Sequence, residues 1–112
     1  MKFRDEFKLK KGSEIDRLVA ETIEAIREDQ LFRGIKKIIL IGSSVENQRT
    51  FRSDIDIAVE FSNISAHEAI LFRKRILGRV NEIMDIQVYN ILPDKVKNEI
   101  NKKRKIIYER KD

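Results

Sequence analysis

The sequence predicts one domain of the α/β class, more narrowly α+β, in which a four-stranded mixed sheet has its helices packed on one face. Three observations predict this fold. The 112 residues suffice for one core and not for two. Four short segments have the apolar residues of strands, and stretches with helical spacing separate them. We expect the domain to span residues 1–112, with the basic segment 1–12 mobile.

Apolar spacing in the first third of the chain predicts a helix and then a buried strand. Ser13 and Asp16 have the spacing of a capping box at the start of the helix, and Gly34 is its expected end. Residues 35–41 (IKKIILI) are too few for a helix and rich in isoleucine, which is typical of a buried strand.

The next strand is predicted at residues 54–61 (DIDIAVEF), because apolar and polar residues alternate there without a break. The polar residues 43–52 connect the two strands, with a single helical turn as an option. The alternation places Asp54 and Asp56 together on the polar face of the strand, although aspartate is disfavoured in strands.

The second half of the chain repeats the order of helix and strand. Ser65 and Glu68 form a capping box for a helix that runs to about residue 81. Residues 83–89 alternate again, with Asp85 on the polar face. A further helix is predicted from Pro93 to about residue 103, and a last strand at residues 105–109. The solvated side of the helix after Ser65 is expected to carry Arg73, Lys74, Arg75 and Arg79.

Composition limits the possible chemistry and partners. With no cysteine and one histidine, disulfides, zinc fingers and a Ser-His-Asp triad are excluded or nearly so. No apolar run approaches the ~20 residues that span a bilayer, and the charged N-terminus lacks a signal peptide, so we expect a cytoplasmic protein without membrane contact. The net charge of +5, concentrated at both ends, suits RNA, an acidic protein, a polyphosphate or plain solvation.

Three acids and one turn are the candidate functional residues. Asp54 and Asp56 lie about 7 Å apart on one strand face, and Asp85 joins them if the two strands are neighbours. A hard cation such as Mg²⁺ would hold such carboxylates together, although pairing with Arg49, Arg52 or a lysine is the simpler alternative. Gly42-Ser43 after the first strand is an ordinary turn by itself, but its backbone suits phosphate.

Read together, the segment GSSVENQRTFRSDIDIAVE (residues 42–60) resembles the GS…DxD motif of the DNA polymerase β-like nucleotidyltransferase superfamily. The closest group is the minimal nucleotidyltransferase (MNT) proteins, which are often encoded beside a HEPN-domain partner. The resemblance implies the nucleotidyltransferase fold and extends over residues 35–109. The sequence departs from the motif where Ser44-Val45-Glu46-Asn47 stands in place of Arg-Ala-Arg-Gly.

The resemblance also implies a mechanism. Asp54, Asp56 and Asp85 would be catalytic and would bind two Mg²⁺ ions, and the substrate would be ATP or another nucleoside triphosphate. Gly42, Ser43, Ser44, Arg49, Arg52 and Ser53 would form the nucleotide site, with the two arginines in place of the cations that the motif has lost. The AMP would pass to a hydroxyl of the HEPN partner, and this chain would be the antitoxin of the pair.

Two other functions remain open at the level of sequence. The chain could be a catalytically weak antitoxin that neutralises its partner by contact. It could also be a basic nucleic-acid-binding module, although its aromatic residues fall mostly at core positions and offer no stacking platform.

Overall fold

The structure, a computed structural model, describes residues 10–41 and 55–111. The helices and strands are, in chain order, α1 (Lys10–Arg27), β1 (Ile35–Ile41), β2 (Ile55–Phe61), α2 (Ala66–Leu77), β3 (Met84–Val88), α3 (Asp94–Lys102) and β4 (Arg104–Glu109). Single 3-10 turns precede β1 and α3, at Phe32–Gly34 and Tyr89–Ile91. None of the helices in the described ranges is long and apolar enough to cross a membrane.

The four strands form one mixed sheet in the order β3-β2-β1-β4. β1 is antiparallel to both β2 and β4, whereas β2 and β3 are parallel. A parallel pair needs a crossover connection, and α2 supplies it between β2 and β3. The predicted fold class and the mixed four-stranded sheet are confirmed.

The main core lies between one face of the sheet and the helices α1 and α2. Phe72 of α2 is fully buried there, and its ring meets that of Phe61 edge-on, with the ring centroids 5.1 Å apart. Ile26 of α1 and Ile38 of β1 are also fully buried in this core. The alternation in β2 and β3 therefore turns their apolar side chains toward α1 and α2, and their polar side chains toward the other face.

The third helix differs from the prediction that all helices lie on one face. Ile100 of α3 packs with Ile39 and Ala58, which point away from the main core, and this makes a second, smaller cluster on the opposite face. The physical reason is that Ile39 of β1 and Ala58 of β2 are paired across the two strands and form an apolar patch on the otherwise polar face of the sheet. Covering this patch with α3 removes apolar surface from water.

Helix boundaries also differ from the prediction, mostly at their ends. α1 begins at Lys10 rather than Ser13 and ends at Arg27, well before Gly34, because the chain turns at Asp29, whose carboxylate accepts a hydrogen bond from the Leu31 amide at 3.0 Å. α2 stops at Leu77, several residues early. Its predicted start is confirmed by the reciprocal hydrogen bonds of the Ser65 capping box.

An asparagine side chain extends the sheet beyond the end of β3. The Asn90 side chain accepts a hydrogen bond from the Phe61 amide at 2.8 Å and donates one to the Phe61 carbonyl at 2.9 Å. Its amide therefore pairs with the last residue of β2 as a further strand residue would. This contact ties the turn before α3 to the sheet.

A partly buried ion pair joins the end of α1 to α2. Arg75 donates to both carboxylate oxygens of Asp29, at 2.8 and 2.9 Å, and the Asp29 side chain is only 5% exposed. Burial raises the pKa of Asp29, but the hydrogen bonds from Arg75 and the Leu31 amide, with the charges of Arg75 and Arg79, lower that pKa below its usual value. The ionised carboxylate therefore stabilises the folded state.

We expect Asp29→Asn to lower the free energy of unfolding by about 2 kcal/mol at pH 7, because Arg75 loses its bidentate hydrogen bonds to an ionised carboxylate. Since the folded pKa lies below the unfolded value of about 3.9, the stabilisation is present above that pH and is lost as the pH falls through the folded pKa. Urea denaturation of both proteins at pH 7 and about pH 2.5 measures this difference.

Glu21→Gln is the matched control for Asp29→Asn, because it removes one carboxylate from an exposed pair with Arg17 on α1. It should change the free energy of unfolding by less than about 1 kcal/mol. Equal losses in the two variants, or a loss in Asp29→Asn that persists undiminished in acid, would contradict the role of Asp29.

Candidate functional site

Two of the three predicted acids lie side by side on the polar face of the sheet. The parallel register of β2 and β3 sets Asp56 directly opposite Asp85. Adjacent strands are about 4.8 Å apart, so the two carboxylates belong to one site. Both residues are partly buried and in reach of solvent.

A cavity of about 320 Å³ opens over these two acids. Its floor consists of polar residues from β2 and β3, and its apolar wall comes from the end of β1, the turn before α3, and α3 itself. The lining residues are Ile41, Asp56, Asp85, Gln87, Leu92, Val96 and Ile100. The unexpected position of α3 therefore converts a flat sheet face into a pocket of a size that small ligands occupy.

Two neighbouring side chains hold the carboxylate of Asp85. Arg73 donates from Nη2 to Oδ1 at 3.2 Å, and Gln87 donates from Nε2 to Oδ2 at 2.9 Å. Arg73 also donates from Nε to the backbone carbonyl of Ile86 at 2.6 Å. The prediction that Arg73 belongs to the solvated side of α2 is thus incomplete, because its guanidinium reaches the site.

The sequence alone offered little signal for this role of Arg73. Helical periodicity places the residue at the margin of the apolar face, and nothing in that pattern indicates that β3 is an edge strand beside α2. Gln87 had a clearer signal, because it shares the polar face of its strand with Asp85 at a spacing of two residues.

The remaining predicted site residues lie outside the described residues. These are Gly42, Ser43, Ser44, Arg49, Arg52, Ser53 and Asp54. The flanking residues Ile41 and Ile55 are described, and the antiparallel pairing of β1 with β2 puts both at one end of the sheet. Ile41 lines the cavity, and the predicted phosphate-binding segment follows it in the sequence.

The donor set of the site fits a hard divalent cation. Asp56 and Asp85 offer carboxylate oxygens from adjacent strands, which are the ligands that Mg²⁺ and Mn²⁺ prefer. Within residues 10–41 and 55–111 no cluster of three potential metal ligands occurs, and Asp54 is the predicted third carboxylate. Two carboxylates beside a pocket that opens to solvent can bind such an ion together with a phosphate ligand.

Comparison with known sequences identifies the family. The family described as "Polymerase beta, Nucleotidyltransferase" matches residues 21–112, which is most of the chain. No curated protein sequence matches this chain.

Solved structures show the same fold at low sequence identity. A putative nucleotidyltransferase from Sulfolobus solfataricus superposes with a TM-score of 0.66 at 18% identity, over 96% of this chain and 94% of that one. A toxin-antitoxin structure with AMP-PNP gives 0.62 at 17% identity, over 80% and 72%. A complex of a tri-AMPylated Shewanella oneidensis HEPN toxin with its MNT antitoxin gives 0.55 at 12%, over 88% and 73%. The resemblance seen in the GS…DxD segment is confirmed, and the chain belongs to the polymerase β nucleotidyltransferase family.

Proposed function

We propose that this protein is a Mg²⁺-dependent nucleotidyltransferase that moves AMP from ATP to a hydroxyl of a partner protein, and that it is the antitoxin of a HEPN/MNT pair. The observation that carries the proposal is the in-register placement of Asp56 and Asp85 on the floor of a cavity. Ile41, which lines that cavity, is the residue before the predicted phosphate-binding turn at Gly42-Ser43. A cytoplasmic location, where ATP and Mg²⁺ are available, is part of the proposal.

The nature of the nucleotide and of the acceptor is supported by the solved structures with this fold. One toxin-antitoxin structure contains AMP-PNP, and another contains a HEPN toxin that carries AMP beside its MNT antitoxin. Transfer of AMP to a HEPN partner is therefore the activity that we extend to this chain.

Different residues of this chain would bind the triphosphate and the metal ions. The backbone at Gly42 and Ser43, with Arg49 and Arg52, would hold the triphosphate, while Asp54, Asp56 and Asp85 would hold two Mg²⁺ ions. When bound, Mg²⁺ supplies charge neutralisation for the triphosphate and lowers the pKa of a hydroxyl.

The reaction forms a bond between the acceptor oxygen and the α phosphorus and breaks the bond from that phosphorus to the β-phosphate oxygen. Pyrophosphate leaves, and the Asp85 carboxylate would accept the proton of the acceptor hydroxyl. Arg73 and Gln87 each donate a hydrogen bond to that carboxylate, and these bonds would keep it in one orientation during the transfer.

A second candidate function is neutralisation of the partner by contact, with weak or no catalysis. The observation that favours it lies in the sequence, since Glu46 stands at a position where the family motif has a cation. An anion there opposes the binding of a triphosphate.

We expect Asp56→Asn to leave the free energy of unfolding without metal within about 1 kcal/mol of the wild type, because one of two neighbouring negative charges is removed. The same variant should lose the stabilisation that Mg²⁺ with ATP gives the wild type. That stabilisation is about 2.7 kcal/mol when the ligand is at 100 times its dissociation constant. Unfolding curves with and without Mg²⁺ and ATP measure both quantities.

Glu60→Gln is the control for Asp56→Asn, since it removes the same charge from the same strand face outside the cavity lining. It should retain the full effect of Mg²⁺ and ATP. If the wild type gains no stability from Mg²⁺ and ATP, and the Asp56→Asn variant is unstable without them, Asp56 is a member of a structural ion pair and not a metal ligand.

Labelled ATP tests the transfer directly. When this chain is mixed with the product of a neighbouring HEPN gene and Mg²⁺, we expect the label of [α-³²P]ATP to appear on the HEPN protein. Asp54→Asn and Asp56→Asn should each lower the rate by a factor on the order of 100 or more, because the cation site is lost. Glu60→Gln should label at the wild-type rate.

The binding of the two proteins must be measured alongside the labelling. Tight binding without labelling by any nucleoside triphosphate would replace transfer with neutralisation by contact. Absence of both binding and labelling would contradict the HEPN/MNT assignment. Only the assignment to the polymerase β nucleotidyltransferase family would then stand.

A further inference from the structure

We propose that Arg73 is a positioning residue of the candidate site, which fixes the Asp85 carboxylate and sets the affinity of the site for its divalent cation. This inference rests on the proposed function and adds a residue outside the family motif. It depends on one arrangement, in which a single guanidinium contacts both the backbone and the carboxylate of β3.

The Arg73 side chain starts from a helix on the main-core face of the sheet and still contacts Asp85 on the opposite face. α2 packs on the main-core face, and β3 is the edge strand of the sheet. The guanidinium passes the edge, where Nε donates to the Ile86 carbonyl at 2.6 Å and Nη2 donates to Asp85 Oδ1 at 3.2 Å. Because guanidinium is planar and rigid, these two bonds fix its direction.

The carboxylate of Asp85 is held at both oxygens and still has capacity for a cation. Gln87 donates to Oδ2 at 2.9 Å, while Arg73 occupies Oδ1. An ionised carboxylate has about four acceptor positions, so two hydrogen bonds leave room for a metal ion. The pair of donors therefore orients the ligand without blocking it.

Charge gives Arg73 a second effect that Gln87 lacks. Asp56 and Asp85 bring two negative charges to one site, and the guanidinium brings a positive charge into contact with one of them. The same positive charge repels a divalent cation that binds there. Arg73 therefore lowers the cation affinity while it holds the ligand in place.

A merely structural role for the ion pair is a poor explanation of this geometry. The Arg73 side chain is 43% exposed and that of Asp85 is 30% exposed. Ion pairs with this access to solvent contribute little to the stability of the folded state. The consequences of losing Arg73 should therefore appear in metal binding and turnover rather than in folding.

Substitutions at Arg73 separate the charge from the geometry. Arg73→Gln removes the charge, and Arg73→Lys retains it but cannot reach both acceptors with a planar fork. Gln87→Leu removes a hydrogen bond to Asp85 without changing the charge. Lys74→Gln is the matched control, because it removes a positive charge from the next, exposed position of the same helix.

The experiment measures Mn²⁺ binding by the electron paramagnetic resonance of free Mn²⁺, in the presence of a non-hydrolysable ATP analogue. Arg73→Gln should lower the Mn²⁺ dissociation constant about tenfold, and Arg73→Lys and Gln87→Leu should leave it within about threefold. All three should label the partner more slowly than the wild type does at saturating metal and ATP, whereas Lys74→Gln should match the wild type in both measurements. Circular dichroism confirms that each variant is folded.

The outcomes distinguish this inference from the proposed function. If Asp56→Asn binds Mn²⁺ as well as the wild type does, the cation site itself is wrong and the proposed function fails with it. If Asp56→Asn loses Mn²⁺ but Arg73→Gln binds it with unchanged or weaker affinity, only the role of Arg73 is overturned. Should Arg73→Gln fail to fold, wild-type turnover in Arg73→Lys would overturn the proposal, and reduced turnover at unchanged affinity would support it.

Discussion

The parallel, in-register pairing of β2 with β3 is the constraint on which the rest of the structure depends. It sets Asp56 opposite Asp85, and it requires a crossover, which places α2 beside the edge of the sheet. From that position Arg73 reaches Asp85, and Arg75 reaches the buried carboxylate of Asp29 at the end of α1. A slip of one residue in this register would turn one acid into the main core and separate the pair.

The position of α3 decides what kind of surface the acids occupy. Without it, Asp56 and Asp85 would lie on an open sheet face. With Ile100 packed on Ile39 and Ala58, the helix forms an apolar wall beside a polar floor. Such a pocket can exclude water on one side of a phosphate ligand while its open side admits an acceptor, as the proposed transfer to a partner protein requires.

The sequence predicted the strands well, because their signals are local. Alternation in residues 54–61 and 83–89 put Asp56 and Asp85 on the correct faces, and the isoleucine-rich run predicted β1 to the residue. The side taken by α3 could not be predicted in the same way, since it depends on Ala58 and Ile39 meeting across two strands. The role of Arg73 was missed for a related reason, because its acceptors lie 12 and 13 residues further along the chain, on the next strand, and become neighbours only when α2 packs beside the edge of the sheet.

The central claim is that Asp56 and Asp85 hold a divalent cation together, and a crystal structure with Mn²⁺ and a non-hydrolysable ATP analogue tests it most directly. The account predicts an anomalous Mn²⁺ peak within about 2.5 Å of a carboxylate oxygen of each residue, with Arg73 still on Asp85 and the phosphates beside the ion. A structure in which nucleotide and Mn²⁺ bind elsewhere, while Asp85 contacts only Arg73 and Gln87, would contradict it.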